Sequence, residues 1–272
     1  MKLGFGLYKH MLKPSFLAFA RQVGATHVVV HLVDYFNKGG AANPSIDQPV
    51  GSLGGWGHAG DPNKLWTLDE LLQIKRQIED AGLIWEAIEN LDPAHWHDVL
   101  LDGPKKKLQL ANLKVLIERV GEAGIPILGY NFSVAGVAGR VTGPFARGGA
   151  ISVGMNGPVD EPIPNGMVWN MTYDANAPSG FLAQTTHEQL WKRAADFLNE
   201  CLPTAEKAGV RLAAHPDDPH RSRGLADGFA FQRLFDVRAD KCSPSPTKAA
   251  RIDPVAGKPD RLDVIPGDEN VN

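Results

Sequence analysis

Two cysteines in 272 residues, Cys201 and Cys242, are too few for a disulfide framework and fit a reducing compartment. No stretch comes near the roughly 20 consecutive apolar residues needed to span a bilayer, and "MKLGFGLYKHML" lacks the continuous apolar core of a signal peptide. A cytoplasmic protein with no membrane partner is therefore expected. Neither sign of charge dominates: formal net charge is -3 and acidic and basic residues are interspersed, which excludes the broad basic field that draws a protein to nucleic acid. There is no G-x-G-x-x-G after the first strand-like segment and no G-x-x-x-x-G-K-[ST] anywhere, which counts against a dinucleotide or nucleotide fold. What the chain does have is apolar content, at 43%, enough for a sizeable core.

That apolar content follows a repeating grammar. "LGFGL" (Leu3 to Leu7) alternates with period two, and Pro14 then opens a stretch with Phe16, Phe19, Ala20 and Val23 at helical spacing. "HVVVHLVD" (His27 to Asp34) is β-branched and apolar, and predicts a strand buried on both faces. In "TLDELLQIKRQIEDAG", Thr67 and Glu70 form a capping box, Leu71, Ile74 and Ile78 trace one face, and Gly82 ends the helix. Strand, helix and strand follow again as "LIWEAIEN", the run carrying Leu110, Leu113, Ile117 and Val120, and "IPILGYNF". A second capping box, Thr186 with Gln189, opens a helix that Pro203 is expected to kink or break, ahead of a fifth strand in "VRLAAHPDD".

Five strands alternating with four helices predict a parallel α/β architecture of the (β/α)8 TIM-barrel type. About five βα units are present, within residues 1–218, with long loop insertions at 35–66 and 133–185. After Asp218 the composition changes: no aromatic follows Phe235, and the 54 remaining residues cannot hold three more βα units of about 30 residues each. Residues 219–272 therefore read as an atypical, largely disordered tail, of the kind a reading-frame shift would produce.

In barrels of this type the active site lies where strands end and loops begin. His31 sits near such an end; it reads either as a hydrogen-bonded core histidine or as a site residue. Glu86 and Glu89 cannot share a face by strict alternation, and Glu89, nearer the strand end, is the one expected in the barrel mouth. Asn131, after Tyr130, either terminates its strand or holds a substrate hydroxyl. His215, followed by Pro216 and the Asp217–Asp218 pair, either makes a local hydrogen bond or offers imidazole and carboxylate to a divalent transition metal or a proton transfer. His10, His95 and His97 fall in expected loops and read as surface residues.

Several segments together resemble the mannonate dehydratase family: "MKLGFGLYKHM", "ATHVVVHLVDYF", "EAIENLDPAHWHDVLLDGP", "GYNFSVAGVAGRVTGPFARGG", "PIPNGMVWNMTYD" and "GVRLAAHPDDP". The similarity covers roughly residues 1 to 219. It implies a xylose-isomerase-like barrel that uses Mn2+ or Fe2+ to remove water from D-mannonate, giving 2-dehydro-3-deoxy-D-gluconate in hexuronate breakdown. The family's H-P-D-D histidine is a metal ligand, which makes His215 the metal residue here. The family's later cysteine, histidine and aspartate ligands and its proton-transferring tyrosine have no counterpart; Cys242, in "DKCSPSP", does not match. Substrate contacts are expected from His31, Glu89 and Asn131, with Arg140 and Arg147 drawing in the substrate carboxylate unless they are plain surface charges on their loop.

Weak or absent turnover is the expectation for the chain as it stands. Two other readings compete. One is a non-catalytic open half-barrel whose sheet edge is covered by a partner or by self-association as a homo-oligomer. The other keeps the barrel and changes the chemistry to sugar isomerisation or epimerisation.

Overall fold

The computed structural model describes residues 2–35, 57–134, 140–155 and 162–215. Five strands form one parallel sheet: β1 Gly4–Tyr8, β2 His27–His31, β3 Ile84–Ile88, β4 Ile127–Tyr130 and β5 Arg211–Ala214. They lie side by side in chain order, each paired in parallel with the next. Between them run α1 Pro14–Gln22, α2 Leu68–Asp80, the short α3 His97–Leu101, α4 Lys106–Glu122 and α5 His187–Ala208. Sequential parallel order with helical crossovers is the arrangement of a barrel wall. Among the described residues β1 and β5 are the two edges.

The helices pack on one face of this sheet. Val28, Val30, Ile88 and Leu128 project from the strands onto Leu17, Leu71, Ile78, Leu113, Leu116, Val120, Phe197 and Cys201, all buried in one apolar cluster. Both capping boxes form: Thr67 accepts from the Glu70 amide and Thr186 from the Gln189 amide, and each box is closed by the reciprocal side chain. Burial pushes the Cys201 thiol up to about 12, so this cysteine is a packing residue.

Two expectations need correction here. β2 is not buried on both faces: Val28 and Val30 are buried, whereas His27, Val29 and His31 are half-exposed, because the described residues cover only the helix side of the sheet. Nor does Pro203 break α5, which runs through it to Ala208. The carbonyl that loses its donor belongs to Asn199, which is exposed, so water can serve it, while Phe197, Leu198, Cys201 and Ala205 hold both halves of the helix to the core.

The two insertions are not structureless. Gly57–His58 pairs in parallel with Met171–Thr172, which pairs antiparallel with Met167–Val168, so the two excursions are stitched into one small ribbon. Arg140–Gly143 and Ser152–Met155 form a separate hairpin. Residues 216–272, including Asp217, Asp218 and the whole expected tail, lie outside the described residues.

Candidate active site

The alternation of each strand decides which side chains leave the helix face. In β1, Leu7 is buried among the helices, so Tyr8 turns to the opposite face; in β2, Val30 is buried and His31 does the same. Tyr8 and His31 are register partners, and their rings stack with centroids 4.5 Å apart. In β4, Tyr130 and Phe132 both pack on Phe197 of α5, which leaves Asn131 between them for the other face.

β3 contributes the carboxylate, and a local irregularity separates its two glutamates. Val28 pairs with Trp85 and Val29 with Ala87, so Glu86 is the extra residue of a bulge. Glu86 meets Lys2 and His27 at the start of the sheet, 2.6 and 3.7 Å away. Glu89 lies past the strand end, its amide donating to Val30 O at 3.0 Å. β4 approaches it closely: a Cβ on Gly129 would fall 1.8 Å from the Glu89 carbonyl oxygen, so glycine is required there.

At the strand ends these residues meet. His31 Nε2 is 3.2 Å from one oxygen of Glu89, and His215 Nε2 is 3.3 Å from the other. His215 is held by its amide, which donates to Tyr130 O at 2.6 Å. The result is an imidazole–carboxylate–imidazole row across the ends of β2, β3 and β5. Burial would raise the Glu89 carboxyl, but a hydrogen bond from His215 and the charges of His31 and His215 outweigh it, and the group is held below the usual range. Burial lowers the His31 imidazole, the neighbouring His215 adds to this, and Glu89 opposes it. Such a row can hold a proton at one ring and release it at another while its central carboxylate stays ionised.

Among the described residues, several polar groups beside the row lack partners. Asn131 is 1% exposed, and neither its amide nitrogen nor its oxygen has a hydrogen-bond partner there; the same holds for the buried His31 Nδ1 and Asn90 Oδ1. Unsatisfied buried groups of this kind are costly, and their clustering is a mark of a site built for a ligand or bound water.

Four of the residues expected in the site thus lie at consecutive strand ends, with Glu89 joined directly to His31 and His215. Arg147 does not join them: it is exposed, in a short turn Arg147–Gly149. The surface reading of His95 and His97 is also corrected, since both are buried, at 3% and 5% exposure. His97 stacks on Tyr173 with centroids 4.0 Å apart, and its Nδ1 is 2.8 Å from Pro93 O. Here Asp92 accepts from the Ala94 amide and starts a tight turn that folds the segment back against α4. His10 is exposed, as expected. Tyr35 was not singled out from the sequence; it meets the His31 ring at 5.8 Å and accepts from Asn90 Nδ2 at 3.3 Å. An aromatic four residues after a site histidine carries no signal in the linear chain that would reveal this.

The D-mannonate dehydratase (UxuA) family profile matches residues 1–141 and 181–236. The match therefore runs past residue 219, where the resemblance read from the sequence stopped, and it leaves out 142–180, which contains "PIPNGMVWNMTYD". A mannonate dehydratase of Streptococcus equi subsp. zooepidemicus (strain MGCS10565) is 31% identical over 165 residues, covering 57% of this chain and 45% of the relative. One from Streptococcus agalactiae serotype Ia is 26% identical over 196 residues, 65% of this chain and 56% of its own. The crystal structure of mannonate dehydratase from Streptococcus suis serotype 2 superposes with TM-score 0.56 at 25% identity, over 84% of this chain and 57% of that one. The chain spans about half the length of the curated relatives it matches.

Proposed function

Because this chain belongs to the D-mannonate dehydratase family, we propose that it binds D-mannonate at the C-terminal edge of its sheet and serves the dehydration of that acid to 2-dehydro-3-deoxy-D-gluconate. The observation that carries the reading is the single carboxylate of Glu89 lying within 3.2 and 3.3 Å of the imidazoles of His31 and His215. Loss of water from a 2,3-dihydroxy acid requires removal of a weakly acidic proton at carbon 2 and protonation of a poor leaving group at carbon 3. Both are proton transfers, and an ionised carboxylate shared by two imidazoles is suited to them. Asn131 would hold a substrate hydroxyl beside this row, through a carboxamide whose two polar atoms have no hydrogen-bond partner among the described residues. Arg147, exposed on its loop, is the proposed attractor of the substrate carboxylate.

A divalent metal, Mn2+ or Fe2+, would act as Lewis acid on the substrate oxygens, with His215 as one ligand. A catalytic metal needs three or more protein ligands, and among the described residues no group of three or more His, Cys, Asp or Glu is placed to hold one. The described residues do not by themselves fit the ion, so no proton step is assigned to it. Among them, too, no helix is long and apolar enough to cross a membrane.

The test is calorimetric titration of D-mannonate, with and without Mn2+, followed by an assay for the 2-dehydro-3-deoxy acid. Binding at a one-to-one ratio is the expected outcome. A chain that takes neither sugar acid nor metal would favour the second reading, a non-catalytic half-barrel docked along β1 or β5, which are sheet edges among the described residues.

A further inference from the structure

The ribbon that stitches the two insertions ends in a two-residue turn. Val168 and Met171 are antiparallel partners, which leaves Trp169 and Asn170 as the central pair, with φ of 50° and 59°. Two successive positive φ values are what a type I′ turn requires, a conformation natural to asparagine and glycine and foreign to tryptophan. It persists because the surroundings hold it. The Trp169 amide donates to Val134 O at 2.8 Å, beyond the end of β4, and its buried ring meets Tyr35 at 5.4 Å. At the base of the ribbon Tyr173 is stacked on His97. Tyr35, whose ring meets both Trp169 and His31, thereby links the turn to the His31–Glu89–His215 row.

Asn170 Oδ1, like both polar atoms of Asn131, is buried without a hydrogen-bond partner among the described residues. The unpartnered acceptor of Asn170 and the donor–acceptor pair of Asn131 each suit hydroxyl groups, which donate as well as accept. The turn lies within 142–180, the stretch that the family profile leaves out.

We propose that the Trp169–Asn170 turn is a hydroxyl-reading element of the site: Trp169 fixes the turn, and Asn170 Oδ1 accepts a hydrogen bond from a hydroxyl of a polyhydroxylated carboxylic acid. The inference rests on the sugar-acid reading above and adds a specificity residue to it. It is tested on the full chain by titrating D-mannonate into the wild type, Asn170→Gly and Asn170→Asp, with melting temperatures measured alongside. Glycine keeps the left-handed backbone and removes the carboxamide, so N170G should bind about tenfold more weakly at an unchanged melting temperature. N170D keeps both the backbone tendency and an acceptor oxygen, and should bind within about threefold of wild type. Equal binding by N170G, or a lowered melting temperature that accompanies its loss of binding, overturns the inference and leaves the sugar-acid reading standing. Absence of binding by the wild type overturns both.

Discussion

The carboxylate of Glu89 lies 3.2 Å from Nε2 of His31, joining the ends of two neighbouring strands whose residues are 58 positions apart in the chain. The contact exists because β2 and β3 are adjacent and parallel, so both strands deliver their last side chains to the same edge. His215 closes the row from β5, on the far side of β4.

Replacing Glu89 with Gln keeps the shape and removes the charge that both imidazoles face. Its side chain is only 23% exposed and faces two imidazoles, so a stability loss of about 1–3 kcal/mol is expected. Binding of D-mannonate should weaken by about tenfold or more, since the charge that orients both imidazoles is gone. Calorimetric titration paired with urea unfolding checks both halves of this expectation.

Gly129→Ala should damage the site from behind. The new Cβ would collide with the Glu89 carbonyl and push β4 away from the end of β3. A loss of about 1–3 kcal/mol is expected, together with weaker sugar-acid binding. Normal binding in a fully stable variant would show that the two strands do not need this approach.

Pro203→Ala should stabilise the protein. The variant restores the amide that Asn199 O lacks in α5 and changes an exposed position, so a gain of about 1–3 kcal/mol is expected in denaturant unfolding. An unchanged midpoint would mean that water already serves that carbonyl fully.

Acid should weaken the fold through His95 and His97. Burial lowers both imidazoles below 6.5; Asp92 and Asp61 oppose this at His95, while the Pro93 carbonyl, Asp98 and Asp174 oppose it at His97, and Lys105 adds to the lowering there. Between the unfolded value and the lowered folded one, the unfolded chain binds more protons, so stability rises with pH. The contribution is complete above 6.5 and is lost as pH falls through the folded values. Urea midpoints measured across this window should decline toward acid, and less steeply in His97→Gln, whose amide can still donate to Pro93 O.

Much of this architecture was legible in the linear chain. The β-branched run at His27–His31, the capping boxes at Thr67 and Thr186 and the glycine after α2 act within a few residues of themselves, so local pattern is enough to read them. The four strand-end residues His31, Glu89, Asn131 and His215 followed from the same reading, since a parallel sheet brings all its strand ends to one edge. Pro203 misled because helix propensity is a local cost that tertiary burial of Phe197, Cys201 and Ala205 overrides. His95 and His97 misled because a polar residue in a loop-like segment carries no mark of what will fold over it; here Tyr173, from a distant insertion, does so.

By itself the sequence determined the βα alternation, the edge on which polar residues gather and the family to which they belong, because periodicity and motif are properties of neighbouring residues. Only the tertiary structure decided that Glu89 reaches the imidazoles of both His31 and His215, that Tyr35 lies between the rings of His31 and Trp169, and that both polar atoms of Asn131 and the Oδ1 of Asn170 are buried without a hydrogen-bond partner among the described residues. Those facts depend on a bulge, on strand order and on the pairing of two insertions more than a hundred residues apart, and no local pattern in the chain encodes a contact at that distance.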